Sequence, residues 1–209
     1  MRSFILKLMG LVFIPALLSS CATTSLVNTW RNPNMPMLKH HKLLLVYLSK
    51  NNATSRLYED ILASELISRG VAAVSGYTLL LEGKKVNRQI LAKGVEKSEA
   101  DAVITMQTVR VEEQTTIQPG YEEIYPDYWY PGAFPSWDMY GYFDGYNYYE
   151  PAYISTYEIA KIQVNLFDAQ SNKLLWAATI QTSNPGNAVS VSKELARIVA
   201  NSLIKEGLI

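Results

Sequence analysis

The sequence predicts an α+β domain: a mixed β-sheet with about three helices packed on one face, plus a long aromatic-rich loop insertion. Three observations carry that prediction. Leu43-Leu44-Leu45-Val46-Tyr47-Leu48 is an unbroken apolar run of strand length, the pattern of a central strand buried on both faces. Three other stretches repeat apolar residues at helical spacing. Three long strand-like stretches fill the second half of the chain, and a segment dense in Tyr and Trp separates the first of them from the other two. A mixture of this kind favours one sheet with helices layered on it.

Taken in order, Leu26 to Arg31 reads as a first strand, ended by Asn32-Pro33-Asn34 and Pro36. The Leu43–Leu48 strand follows. From Asn52 the spacing becomes helical, with Leu57, Ile61, Leu62 and Leu66 on one stripe and Tyr58 beside it. Ser55 is the expected N-cap, and Arg69-Gly70 supplies a last-turn cation and the glycine stop. Val71 to Val74 is a short strand. Val86, Ile90, Leu91 and Val95 mark a second helix, and Asp101 to Glu112 alternates as a long strand. Tyr157 to Phe167 and Leu174 to Thr182 form a hairpin about the turn-rich Asp168-Ala169-Gln170-Ser171-Asn172-Lys173. Pro185-Gly186-Asn187 opens a last helix with Val191, Leu195, Ile198, Val199 and Leu203 on its apolar face. The order is β-β-α-β-α-β-loop-β-β-α, without an internal repeat of fixed period.

The chain of 209 residues is long enough for one domain with a real core. Hydrophobic residues make up 48% and charged residues 18%, the balance of a folded domain rather than a disordered tail. Lys+Arg and Asp+Glu both number 19. No basic face is implied, so nucleic acid is not an expected partner.

The N-terminus has three parts. Arg2 and Lys7 are cationic, Leu8 to Leu18 is apolar, and Leu18-Ser19-Ser20-Cys21 ends the segment in small residues before a cysteine. The apolar run is too short to span a bilayer as a mature helix, which makes it a signal segment. The pattern resembles the lipobox of bacterial lipoproteins. That resemblance implies cleavage before Cys21, a diacylglyceryl group on its thiol and an acyl chain of the palmitate class on its amine. No cofactor other than this covalent lipid is expected. Ala22 in place of Asp implies the outer membrane. The expected division is a signal peptide over 1–20, a lipidated tether over 21–25, and a domain over 26–209 that carries the insertion 119–153. Cys21 is the only cysteine, so neither a disulfide nor a thiol catalyst is available to the domain.

Residues 119–153 hold 14 of the 23 aromatic residues, six acids, five prolines, four glycines and no Lys or Arg. No helix or strand period survives there, and irregular segments of such length are functional or disordered. The aromatic residues singled out as partner-binding are Tyr121, Tyr125, Tyr128, Trp129, Tyr130, Trp137, Tyr140, Tyr142, Tyr146, Tyr148 and Tyr149. Tyr and Trp give flat apolar area with a hydrogen-bonding tip, suited to a protein surface or a sugar ring. A lid that packs its own aromatics and low-complexity disorder are the competing readings of the same composition.

Sites for chemistry are scarce. His40 and His41 are adjacent on an extended stretch, point to opposite faces and read as a polar lead-in to the Leu43 strand, not as metal ligands. The loop acids lack the short fixed spacing of a calcium loop. Phosphate-binding, nucleophile-elbow and zinc-protease motifs are absent. Trp30 and Trp176 lie in strand-like stretches and are expected core anchors.

Thr29-Trp30-Arg31-Asn32-Pro33, the Leu43–Leu48 strand, the Arg56–Arg69 helix with its Gly70 stop, Ala100-Asp101-Ala102-Val103 and Leu174-Leu175-Trp176 together resemble envelope lipoproteins of domain-of-unknown-function family 4136. The resemblance spans about residues 25 to 206. It implies a fold, an envelope address and an aromatic insertion before the final strands, but no activity. The insertion here is richer in Tyr and Pro, and poorer in Gly, than the family's.

The expected function is a non-enzymatic envelope lipoprotein, held at the membrane by its lipid, that binds an envelope protein or glycan through the aromatic segment. The alternatives are an enzyme acting on envelope glycans through Asp127, Asp138 or Asp144, and a structural lipoprotein that self-associates as a homo-oligomer through the same loop.

Overall fold

The computed structural model describes residues 24–35, 38–80, 86–114, 139, 157–183 and 185–209. Six strands form one mixed sheet: β1 (Thr24–Arg31), β2 (Lys42–Leu48), β3 (Ala72–Ser75), β4 (Ala102–Gln114), β5 (Tyr157–Asp168) and β6 (Leu174–Thr182), in the order β1-β6-β5-β4-β2-β3. The α-helices among the described residues are α1 (Asn52–Ser68), α2 (Arg88–Ser98) and α3 (Ala188–Lys205). Fold class and element order are those the sequence predicts.

β2 is parallel to both its neighbours, β3 and β4, while β4-β5-β6-β1 is antiparallel throughout. The unbroken apolar run of β2 now has its reason. Leu43, Leu45 and Tyr47 enter one core with α1 and α3, whereas Leu44, Val46 and Leu48 enter a second core with Leu91 of α2. A strand covered on both sides has no solvent face on which to place a polar residue.

The expected packing of about three helices on one face holds for α1 and α3 alone; α2 lies on the other face. Crossover handedness accounts for this. The connection β2-α1-β3 steps one way across the sheet, and β3-α2-β4 steps back past β2 to its far side. Right-handed crossovers running in opposite directions put their helices on opposite faces.

Local signals fix the helix ends. Asn51, not Ser55, caps α1, its side chain accepting the N–H groups of Ala53 and Thr54 at 2.9 and 3.3 Å. Ser55 lies inside the helix, where its hydroxyl donates to the Tyr47 carbonyl at 3.0 Å. Gly70 adopts φ +83°, with Gly70 N–H on Ile67 O and Val71 N–H on Leu66 O. Gly207 repeats this stop after α3 at φ +66°, with Leu208 N–H on Leu203 O. Both stops use glycine because the left-handed conformation penalises a Cβ. Asn87 and Asn187 cap α2 and α3. β1 begins two residues before the expected Leu26, so Thr24 and Ser25 belong to the sheet and not to the tether.

Candidate functional site

Three places in the fold bear on function: the start of β1, the point where the aromatic segment meets the sheet, and a crevice at the carboxyl ends of β2 and β4.

Residues 1–23, with Cys21, lie outside the described residues. The chain enters the structure at Thr24, which is buried, pairs with Thr182 of β6 and donates its hydroxyl to the Thr182 hydroxyl at 3.2 Å. β1 is an edge strand, with Leu26 and Val27 exposed. Among the described residues, no helix is long and apolar enough to cross a membrane.

Tyr121, Tyr125, Tyr128, Trp129, Tyr130, Trp137, Tyr140, Tyr142, Tyr146, Tyr148 and Tyr149 likewise lie outside the described residues. Met139, near the middle of that segment, is described and is 0% exposed. It packs in the second core with Leu44, Leu91 and Phe167, and its N–H donates to the Asn172 carbonyl at 2.6 Å. Asn172 holds φ +61° in the β5-β6 turn, a conformation that Asn tolerates better than most residues. Sequence reasoning missed Met139; a lone apolar residue flanked by Asp138 and Tyr140 has no periodicity to betray its burial.

The crevice lies on the α1/α3 side of the sheet, where Asn51 and Thr54 at the start of α1 and Pro185 and Ala188 at the start of α3 take part in its lining. Its volume is about 320 Å³, and Tyr47, Ser49, Asn51, Tyr58, Thr108 and Thr182 help to line it. Tyr47 and Tyr58 stack with ring centres 4.4 Å apart, and the Tyr47 hydroxyl shares a 2.8 Å hydrogen bond with that of Thr108. Burial pushes the Tyr47 phenol up to about 12, against the lowering effect of Thr108. Burial also raises Tyr58, with the neighbouring Tyr47 adding to the shift. Both phenols are therefore protonated near neutral pH and can hydrogen-bond rather than act as bases.

Behind this wall lies Glu59, only 2% exposed. Its Oε1 accepts the Tyr47 N–H and its Oε2 the Tyr77 N–H, each at 2.8 Å. Burial drives its pKa up to about 7, and the two backbone donors hold it from rising further. The next residue, Asp60, accepts from the hydroxyls of Ser75 and Tyr77. These carboxyls fasten α1 to the turn after β3.

A second, wider cleft of about 530 Å³ is lined by His40, Glu96, Glu99, Asp101 and Asp168, among others. Asp101 is occupied in structure, accepting the N–H groups of His41 and Lys42 at 2.7 and 3.2 Å. The His40 N–H donates to Leu208 O at 2.8 Å, which accords with a lead-in to β2. No group of three or more potential metal ligands occurs among the described residues. Trp176 is a core anchor as expected, and Trp30 packs half-buried against the second core.

Among solved structures, the chain is similar to the PelC dodecamer of Paraburkholderia phytofirmans, at 10% identity and a TM-score of 0.44 over 89% of this chain and 99% of that one. It is similar also to the lipoprotein GNA1162 of Neisseria meningitidis, at 14% identity and a TM-score of 0.39 over 78% of this chain and 98% of that one. No curated protein matches it in sequence. The family described as Domain of unknown function (DUF4136) matches residues 83–205, from just before α2 to the last turn of α3. With more than half of its length inside that match, the chain belongs to the DUF4136 family.

Proposed function

We propose that this chain is a non-enzymatic lipoprotein of the cell envelope, anchored through lipid on Cys21, that binds an envelope protein or glycan through its Tyr/Trp-rich segment 119–153. The outer membrane is the proposed address, from Ala22 after the lipobox cysteine. Met139 is the observation that carries the reading. A residue from the middle of the aromatic segment is locked into the second core and hydrogen-bonded to the β5-β6 turn. A recognition segment held by the scaffold at an internal point has less freedom to lose when a partner binds. Lipid attachment adds to this by confining the domain to one membrane face, which raises its effective concentration toward a partner there.

Photo-crosslinking in living cells from a reactive amino acid at Trp137 tests the proposal. A discrete adduct whose extra mass is an envelope component supports it, and Trp129→Ala and Trp137→Ala should then abolish capture with the fold unchanged by circular dichroism. An adduct containing only two copies of this chain, or the absence of any adduct at Trp129, Trp137 and Tyr146, would overturn it.

A further inference from the structure

We propose that β1 lies along the bilayer surface instead of standing away from it, with Leu26 and Val27 seated in the interfacial layer beside the lipid on Cys21. The proposal rests on the lipid-anchored reading above and adds to it the orientation of the domain.

Tether length comes first. Thr24, the first residue of β1, follows Cys21 by three positions. An extended chain spans at most about 3.6 Å per residue, which holds Thr24 within about 11 Å of the lipidated residue. The headgroup layer of one leaflet is itself roughly 5–8 Å thick. The start of β1 is therefore inside the headgroup layer or within a few ångström of it in any orientation. What remains open is the tilt of the strand. Standing upright, β1 would lift Thr29 about 16 Å beyond Thr24 and leave its apolar residues in water. Lying flat, it would bring them to the lipid.

Exposure and charge favour the flat orientation. Leu26 and Val27 are 43% and 49% exposed and adjacent in sequence. Neighbours on a regular strand face opposite sides, but the pairing steps from Leu26–Ile180 directly to Asn28–Thr179, so Val27 is the extra residue of a bulge. Residues 22–30 include no Asp, Glu, Lys or Arg, and neither does the stretch 174–192, which contains the paired strand β6. The first charge on β1, Arg31, is bound to the Glu206 carbonyl at 2.8 Å. Elsewhere, Ile67 and Ile204 are comparably exposed but have charged residues within two positions. A second copy adding its own strand to this edge is the less favoured occupant, because a bulge breaks the ladder that such pairing needs.

The test uses the full chain matured in cells, its lipid verified by mass. Lipidation consumes the Cys21 thiol, so Leu26→Cys, Val27→Cys and Ile204→Cys each present one free thiol for a spin label. In phosphatidylcholine vesicles, the ratio of oxygen to nickel-chelate collision rates should be several-fold higher at positions 26 and 27 than at 204. Equal ratios at all three positions in the lipidated protein would overturn the proposal and leave the anchor intact. Spin–spin broadening with poor access to both reagents would overturn it in favour of a second copy. A protein that keeps its leader and carries no lipid would remove the anchored reading and this proposal together.

Discussion

The carboxyl of Glu59 accepts the Tyr47 backbone N–H at 2.8 Å and so ties the middle of α1 to the carboxyl end of β2. A proton is kept on it more tightly in the folded protein, at about 7, than at its ordinary value of 4.5. Between those two values the folded chain holds a proton that the unfolded chain releases. The contribution is thus fully present below pH 4.5, is lost as pH rises to about 7, and is level beyond. The loss is on the order of 3 kcal/mol. Glu59→Gln should flatten this slope in urea unfolding midpoints measured across that range. It should also cost about 1 kcal/mol at low pH, since an amide offers one oxygen to two N–H donors. A wild-type slope retained in the variant would assign the proton elsewhere.

Gly76 and Gly94 should respond differently to alanine. A Cβ at Gly76 would come within 2.5 Å of the Leu45 carbonyl oxygen, a backbone atom in the central strand that cannot yield. At Gly94 the nearest atom, at 2.6 Å, is Leu80 Cδ2, the tip of a rotatable side chain. Gly76→Ala should destabilise by about 2–3 kcal/mol through overpacking. Gly94→Ala should cost less than about 1 kcal/mol, because alanine also favours the helix. Thermal unfolding of the two variants side by side decides the ranking.

Met139→Ala should destabilise the fold by roughly 2–5 kcal/mol through loss of a fully buried side chain. Limited proteolysis gives a more specific readout, since cleavage within 119–153 should accelerate more than the global loss of stability explains. Unchanged cleavage would mean that Met139 does not hold the segment.

Trp176 is 1% exposed, and its indole N–H has no hydrogen-bond partner among the described residues. Its role there is to fill volume. Trp176→Phe should therefore cost far less than Trp176→Ala, for which the expected loss is about 3–5 kcal/mol. Equal losses in chemical denaturation would point to a hydrogen bond from the indole.

Elements defined by their own residues were legible. The apolar run of β2, the stripe of α1 and the hairpin turn at 168–173 each carry a local pattern that needs no partner to interpret. Sidedness was not. A helix sequence reveals its apolar stripe but not which face of the sheet receives it; for α2 that depends on strand order, a property of the whole chain. The N-cap of α1 was misplaced because Asn51 and Ser55 are both able caps, and the demand of the Tyr47 carbonyl for the Ser55 hydroxyl appears only once β2 and α1 are packed. Of the candidate sites, the tyrosine wall of the crevice was hidden for a similar reason. Tyr47 closes a strand, Tyr58 sits beside a helical stripe, and Thr108 lies fifty residues further on.

Among the described strands β1 has a single neighbour, β6, and the Thr24–Thr182 pair joins residues 158 positions apart. Closing so long a loop is slow compared with local contacts. As the chain is made from its N-terminus, its first strand must wait, unpaired, until nearly all the rest has followed. The N-terminal strand therefore stays unpaired until β6 is in place, and this edge of the sheet is completed last.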